Sequence, residues 1–133
     1  MDKTEDLKKA DSQYLAEEAV KLMLEKKALD VKMFDVREYT SVTDFYVNVT
    51  GRSSTHVASL ADDLADNFSS RGLNANRIEG KRGNSWLLVD FGSLIVNVFD
   101  SESRNFYNFD RLLPAERQVD ISKLVDEVDR KFS

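Results

Sequence analysis

Two apolar runs constrain this fold more than any other feature. WLLVDF covers residues 86–91 and LIVNVF residues 94–99, with only Gly92-Ser93 between them. Neither run alternates as a half-exposed strand does, so both read as strands covered on their two faces. The short link makes them a hairpin in the middle of a sheet. The rest of the chain must then supply the elements that pack on it.

Helical periodicity supplies three of them. Ala16, Ala19, Val20, Met23 and Leu24 form one apolar face, with Ser12 placed to cap that helix. Val57, Leu60, Ala61, Leu64 and Phe68 form a second stripe, opened by Ser53 or Ser54 as N-cap and ended by Gly72. Asp120 can cap a last helix bearing Ile121, Leu124, Val125, Val128 and Phe132. Residues 31–37 (VKMFDVR) alternate as a strand does. In DFYVNVT, Phe45, Val47 and Val49 share one face, and Tyr46 and Asn48 the other. The short EYTSVT link makes these two strands an antiparallel pair. NANRIEG supplies another strand, and SRNFYNFDRLL reads as a short helix or tight turn broken by Pro114. The order α-β-β-α-β-β-β-α predicts an α/β fold, a mixed sheet of about five strands with helices packed on it. Residues 1–10 are expected to fray. Residues 11–133 are expected to form one domain ending in a C-terminal helix, as the chain length suits.

Composition narrows the function. The absence of cysteine excludes disulfides, thiol catalysis and zinc–thiolate sites. No apolar run approaches the ~20 residues of a membrane span. The opening MDKTEDLKKADSQ has no apolar h-region, so no secretory signal is expected. These points place the protein in the cytoplasm and away from membranes. The net charge of −5 argues against direct DNA binding, which needs a dense basic surface. The cluster Arg77, Lys81 and Arg82 is interrupted by Glu79 and reads as a solvated loop. An acidic balance fits a basic partner better.

Chemistry is hard to find. The single histidine, His56, lies early in a helix beside Ser53, Ser54 and Thr55, where capping or packing is its ordinary role. Nearness in sequence does not make a triad, because the base must also be oriented by a third group. Asp44, Glu79 and Asp90 lie at strand ends and could converge on a metal. Two-metal phosphoryl chemistry usually shows a close carboxylate pair on one strand, and Asp90 stands alone in VDFG. Gly51-Arg52-Ser53-Ser54 opens a helix after a strand but lacks the lysine and glycine spacing of a phosphate loop. No catalytic residue, cofactor or metal ligand is therefore expected. Trp86, the only tryptophan, follows the polar turn KRGNS and starts its strand at the border of the apolar region. It is either a core residue or a half-exposed anchor of the kind protein interfaces favour.

The residues taken together resemble the bacterial ribosomal silencing factor family, also called iojap-like. The likeness is carried by Thr43-Asp44, then Thr50-Gly51 with Ser53-Ser54 and His56-Val57. Glu79-Gly80, Trp86, Asp90-Phe91-Gly92, Val96 and Val98-Phe99 follow, and Arg104, Tyr107 and Leu112-Leu113 complete it. It covers roughly residues 13 to 122, and the order and spacing of these elements are specific together although no single one is diagnostic. This sequence departs from the family pattern at Asn97, where histidine is usual, and at Leu113, where tryptophan is frequent.

The resemblance implies a fold similar to nucleotidyltransferases without their catalytic carboxylate set. It implies binding to the large ribosomal subunit through ribosomal protein fourteen, on the face that meets the small subunit. The implied mechanism is steric: the bound factor blocks joining of the subunits and represses translation when nutrients are scarce, with no reaction and no cofactor. Glu79, Asp90 and Asp44 would then accept Arg or Lys of the partner beside Trp86. Arg104 and Tyr107 either share that surface or tie the last turn to the sheet. A homodimer is expected when the protein is free. Two other readings are a magnesium-dependent nucleotidyltransferase-like enzyme using Asp44, Asp90 and Glu79, and a homodimeric interaction module with another partner.

Overall fold

A computed structural model describes residues 6–132. In chain order these form α1 (Ser12–Glu25), β1 (Leu29–Asp35), β2 (Phe45–Gly51), α2 (Ser54–Ser70) and β3 (Arg77–Gly80). They continue through β4 (Trp86–Asp90), β5 (Leu94–Asp100), α3 (Ser101–Tyr107), β6 (Gln118–Val119) and α4 (Ser122–Lys131). Short 3-10 turns lie between several of them. The sheet has six strands in the order β3-β4-β5-β2-β1-β6. Only β2 and β5 pair in parallel; the other neighbours are antiparallel.

The extra strand is β6, two residues paired with Met33 and Phe34 of β1. So short an edge strand has no periodicity to detect, because only its partner defines it. The hairpin forms as expected, with the Phe91 N–H donating to the Leu94 carbonyl at 2.8 Å. Gly92 takes φ +90° in that turn, a conformation that L side chains avoid. The expectation of full cover on both faces holds for β5, which is buried from Leu94 to Phe99. It fails for β4, where only Val89 is buried. One strand further from the centre, β4 has helices over one face and only a partial lid over the other.

α2 buries its whole predicted stripe. α1 leaves Leu24 half-buried and buries Leu15 instead. Of the stripe predicted for α4 only Val128 is buried, with Phe132 61% exposed. Val57, Leu60, Ala61, Leu64 and Phe68 of α2 are all buried, as are Leu15, Ala16, Ala19, Val20 and Met23 of α1. They meet Phe45, Val47 and Val49 of β2 and Leu94, Val96 and Val98 of β5 in one apolar core. Ser53 caps α2 by accepting the His56 N–H at 3.1 Å. The N-cap of α1 is Asp11 rather than Ser12, its carboxylate accepting the Tyr14 N–H at 2.8 Å. The carboxylate reaches the free amides of the first turn and interacts with the helix dipole as well. Asp120 accepts the Ser122 N–H at 2.9 Å in front of α4. Gly51 sits where any Cβ would meet Val57 at 2.7 Å, so it lets β2 run directly under α2.

The N-terminal segment differs from expectation. Residues 1–5 lie outside the described residues, but 7–9 form a 3-10 turn and Leu7 is 1% exposed in the core. The Leu7 N–H donates to the Arg71 carbonyl at 2.9 Å, tying the segment to the end of α2. A lone leucine among charged residues shows no local pattern, so its burial is a tertiary effect. Leu7→Ala should cost about 2–4 kcal/mol, seen as a lowered urea midpoint; an unchanged midpoint would exclude Leu7 from the core.

α4 meets α1 through both apolar burial and charge. Lys21 bonds Glu127 at 3.0 Å and Lys131 bonds Glu25 at 3.1 Å, around the buried Val128. Burial lowers the Lys21 pKa, but the hydrogen bonds it donates to Glu18 and Glu127, with their charges, outweigh it and push it up to about 12. A raised folded pKa stabilises fully below the unfolded value of 10.5 and is lost as pH climbs toward about 12. Wild type should therefore lose more thermal stability across that alkaline window than Lys21→Met; equal losses would contradict the assignment.

Candidate functional site

Opposite the two large helices, the sheet presents a second face whose composition follows from strand register. Cross-strand partners share a face. One row runs Arg77, Asp90, Ile95, Tyr46, Phe34 and Gln118 across all six strands. The next runs Glu79, Leu88, Asn97, Asn48 and Lys32. A third begins with Trp86, Phe99 and Thr50. α3 and the 3-10 turn Phe109–Leu112 cover part of this face. The uncovered part lies over β3 and β4.

Trp86 stands at the border of the cover. It is half-buried, with its ring 4.9 Å from Phe99, 4.8 Å from Tyr107 and 5.9 Å from Phe109. Lys81 Nζ lies over both Trp86 and Tyr107, at 5.9 and 5.7 Å from their centroids. Beside the indole is an open cleft of about 350 Å³ lined by Glu79, Gly80, Lys81, Trp86 and Leu88. Tyr107 is 39% exposed, and further along α3 and its following turn Phe106 and Leu112 are 79% and 68% exposed.

Behind Trp86 runs a buried polar chain. The indole N–H donates to Asn97 Oδ1 at 3.0 Å. Asn97 Nδ2 donates to Asn48 Oδ1 at 3.0 Å, and Asn48 Nδ2 to Asp110 Oδ1 at 2.7 Å. Asp110 Oδ2 accepts Arg104 Nε and Nη2 at 3.1 and 3.0 Å, while Arg104 Nη1 reaches Thr50 Oγ1 at 2.9 Å. Asn48 and Asn97 are both 0% exposed. Among the described residues no buried side-chain nitrogen or oxygen lacks a partner.

The six residues singled out from sequence fall unevenly on this geometry. Trp86, Glu79 and Tyr107 come together on the second face, while Asp90 lies on the same face at the other end of β4, beside the hairpin turn. Asp44 lies just before β2, its N–H donating to the Ser93 carbonyl at 3.2 Å beside the hairpin turn. Arg104 is a correction: at 6% exposure it faces inward, and its guanidinium is taken up by Asp110 and Thr50. Of the two roles open to it, the geometry fits tying α3 to the sheet. Glu79 and Asp90 are also not free acceptors, since Arg77 bonds them at 2.6 and 3.1 Å. Asp90 Oδ1 further accepts the Gly92 N–H at 2.7 Å, closing the hairpin turn. The Tyr46 phenol is pushed above its usual range by burial and then by the Asp90 carboxylate.

Among the described residues, no three His, Asp or Glu side chains are grouped to hold a metal ion, so Asp44, Glu79 and Asp90 do not converge. His56 is engaged on both ring nitrogens. Nδ1 accepts the Arg52 N–H at 2.9 Å, which leaves Nε2 to donate to the Lys26 carbonyl at 2.9 Å. That joins α2 to the end of α1 and leaves no base for Ser53 or Ser54. Leu88, Ile95, Asn48 and Asp110 belong to the site but were not singled out. The available signal was the repeated Val-Asn-Val of 47–49 and 96–98, since asparagine in a buried strand demands a partner.

The architecture is thus a mixed α/β domain whose second sheet face is aromatic and polar. The family model described as ribosomal silencing factor during starvation matches residues 9–133. The chain belongs to that family. It is 35% identical to a ribosomal silencing factor of Haemophilus influenzae, over 65% of this chain and 84% of that one. It is 34% identical to that of Zymomonas mobilis, over 64% of each chain, so the match spans a little less than two thirds of that relative. A crystal structure from Bacillus halodurans superposes with TM-score 0.71 at 30% identity, covering 81% of this chain and 98% of the other.

Proposed function

We propose that this protein silences ribosomes by binding the large subunit through ribosomal protein fourteen and blocking its union with the small subunit. The observation that carries the reading is Trp86, half-buried beside an open cleft on the second face of the sheet. Aromatic anchors of this kind carry a disproportionate share of interface energy. The family supplies the ribosome as target, and the net charge of −5 suits a basic ribosomal protein through steering of the encounter. Repression is steric on this reading and needs neither cofactor nor reaction. The protein would act in the cytoplasm, where translation occurs; no helix among the described residues is long and apolar enough to cross a membrane.

Trp86 and Tyr107 form the apolar centre of the proposed contact, with Glu79 at its rim and Asp90 and Asp44 toward the hairpin turn. Glu79 is the carboxylate best able to change partners. Its side chain is 56% exposed, against 16% for Asp90. An incoming arginine would compete with Arg77 for it. Arg104 supports the site from below.

Co-sedimentation with purified large subunits tests the reading. Wild type should pellet with them, and Trp86→Ala should bind more weakly by about 2 kcal/mol, roughly thirtyfold. Wild-type binding by a folded Trp86→Ala would remove Trp86 from the contact.

In the free state, the chain is proposed to form a homodimer, supported by the exposure of Ile78, Phe106 and Leu112 at 48%, 79% and 68%. Light scattering across a concentration series should show the mass approach twice that of the chain. A monomer at every concentration would end that proposal.

A further inference from the structure

The polar chain behind Trp86 has a direction. Every donor between the indole and Asp110 points the same way: Trp86 to Asn97, Asn97 to Asn48, Asn48 to Asp110. The direction is forced. Indole N–H can only donate, so Asn97 must offer its oxygen to Trp86 and its amide group to Asn48. Asn48 must then offer its own oxygen back and its amide group onward. An ionised carboxylate can only accept, so Asp110 is the natural terminus. Arg104 holds that carboxylate from the other side with two N–H groups on one oxygen. Burial of both asparagines leaves no water to substitute for a lost partner.

We propose that Asp110 acts through Asn48 and Asn97 as a positioning residue for the Trp86 indole, setting the orientation that the partner meets. The proposal rests on the reading of Trp86 as a contact for its functional part. Its structural part stands on the hydrogen bonds alone. In Asp110→Asn, an amide oxygen kept on Asn48 would leave the amide NH₂ facing Arg104, donor against donor, so the amide turns its oxygen to Arg104 and presents its NH₂ to Asn48. Asn97 and Asn48 can then turn over without loss elsewhere, and the indole loses its fixed acceptor. Ring contacts with Phe99, Tyr107 and Phe109 still hold Trp86 on the face, but with more than one orientation.

Because Trp86 is the only tryptophan, ¹⁵N-labelled protein shows a single indole N–H resonance. Its exchange with solvent reads the hydrogen bond to Asn97 and is insensitive to ring-current effects from Phe109. In Asp110→Asn the exchange should quicken at least about fivefold, as loss of one hydrogen bond predicts. Asp30→Asn is the comparison: Asp30 lies 3.7 Å from Arg104 but outside the chain, and its change should leave exchange as in wild type. Asn48→Ser, which interrupts the chain in its middle, serves if Asp110→Asn does not fold, and should also quicken exchange. Unchanged exchange in a folded variant of either kind overturns the proposal.

Binding to large subunits completes the test. Asp110→Asn should bind about fivefold or more weakly. If Trp86→Ala binds weakly while Asp110→Asn binds as wild type, the orientation is irrelevant and the functional part is overturned. If Trp86→Ala itself binds as wild type, the contact reading fails instead, and indole exchange alone decides whether the chain positions Trp86.

Discussion

β2 and β5 lie side by side and parallel, from Phe45 opposite Leu94 to Gly51 opposite Asp100. Parallel neighbours cannot be joined by a tight turn, so the chain must leave the sheet and return. It does so through α2, β3 and β4, and that excursion creates both the helix layer and the outer strands. The same pairing places Val47 beside Val96 and Val49 beside Val98 on one face, and Asn48 beside Asn97 on the other. The valines face α1 and α2. The asparagines require polar cover, because two buried amides without partners would cost several kcal/mol between them. Asp110 and the indole of Trp86 satisfy that demand, and Arg104 holds Asp110 in place.

The two faces contribute differently. Apolar burial under the helices stabilises roughly in proportion to area, and it tolerates small rearrangements at modest cost. The polar face adds little net stability, since each hydrogen bond replaces one to water and is worth about 1 kcal/mol. Its effect is on uniqueness. A donor facing a donor in a dry site costs more than the correct pair gains, so α3 and the turn after it can dock in only one register. Arg104 illustrates the balance. Its charge is removed from water almost completely, and the two N–H bonds to one Asp110 oxygen plus the bond to Thr50 are what make that burial tolerable.

Helical stripes, the hairpin, the α2 cap at Ser53 and the turn at Gly92 were legible in the sequence, because each depends on residues within a turn or two of one another. Leu7 was not, since only the end of α2 makes it a core residue. β6 was not, since two residues have no period. Arg104 was readable only to the point of two alternatives. The deciding partner, Asp110, lies beyond a left-handed Asn108 that turns the chain back under α3. The Val-Asn-Val pair was visible in the letters, but their adjacency needs the parallel register, and that is a property of the whole sheet. Trp86 was readable as a border residue from the polar turn before it, while the chain of amides that orients it was not.

A half-buried tryptophan raises a conflict for any contact role. Exposure gives a partner access but leaves the ring free to turn, and each rotamer lost on binding weakens association by something near 1 kcal/mol. Burial fixes the ring but hides it. Here the edge bearing the indole nitrogen is tied inward to Asn97 while the ring still borders the cleft beside Glu79. Glu79 carries the opposite compromise. Arg77 holds it in place, yet both side chains are 56% exposed, so water screens the pair and little is lost when one partner is exchanged for another. On the proposed reading the face therefore combines an anchor fixed from behind with a rim charge that is easily re-paired, which suits a protein that binds and releases more than one that must stay.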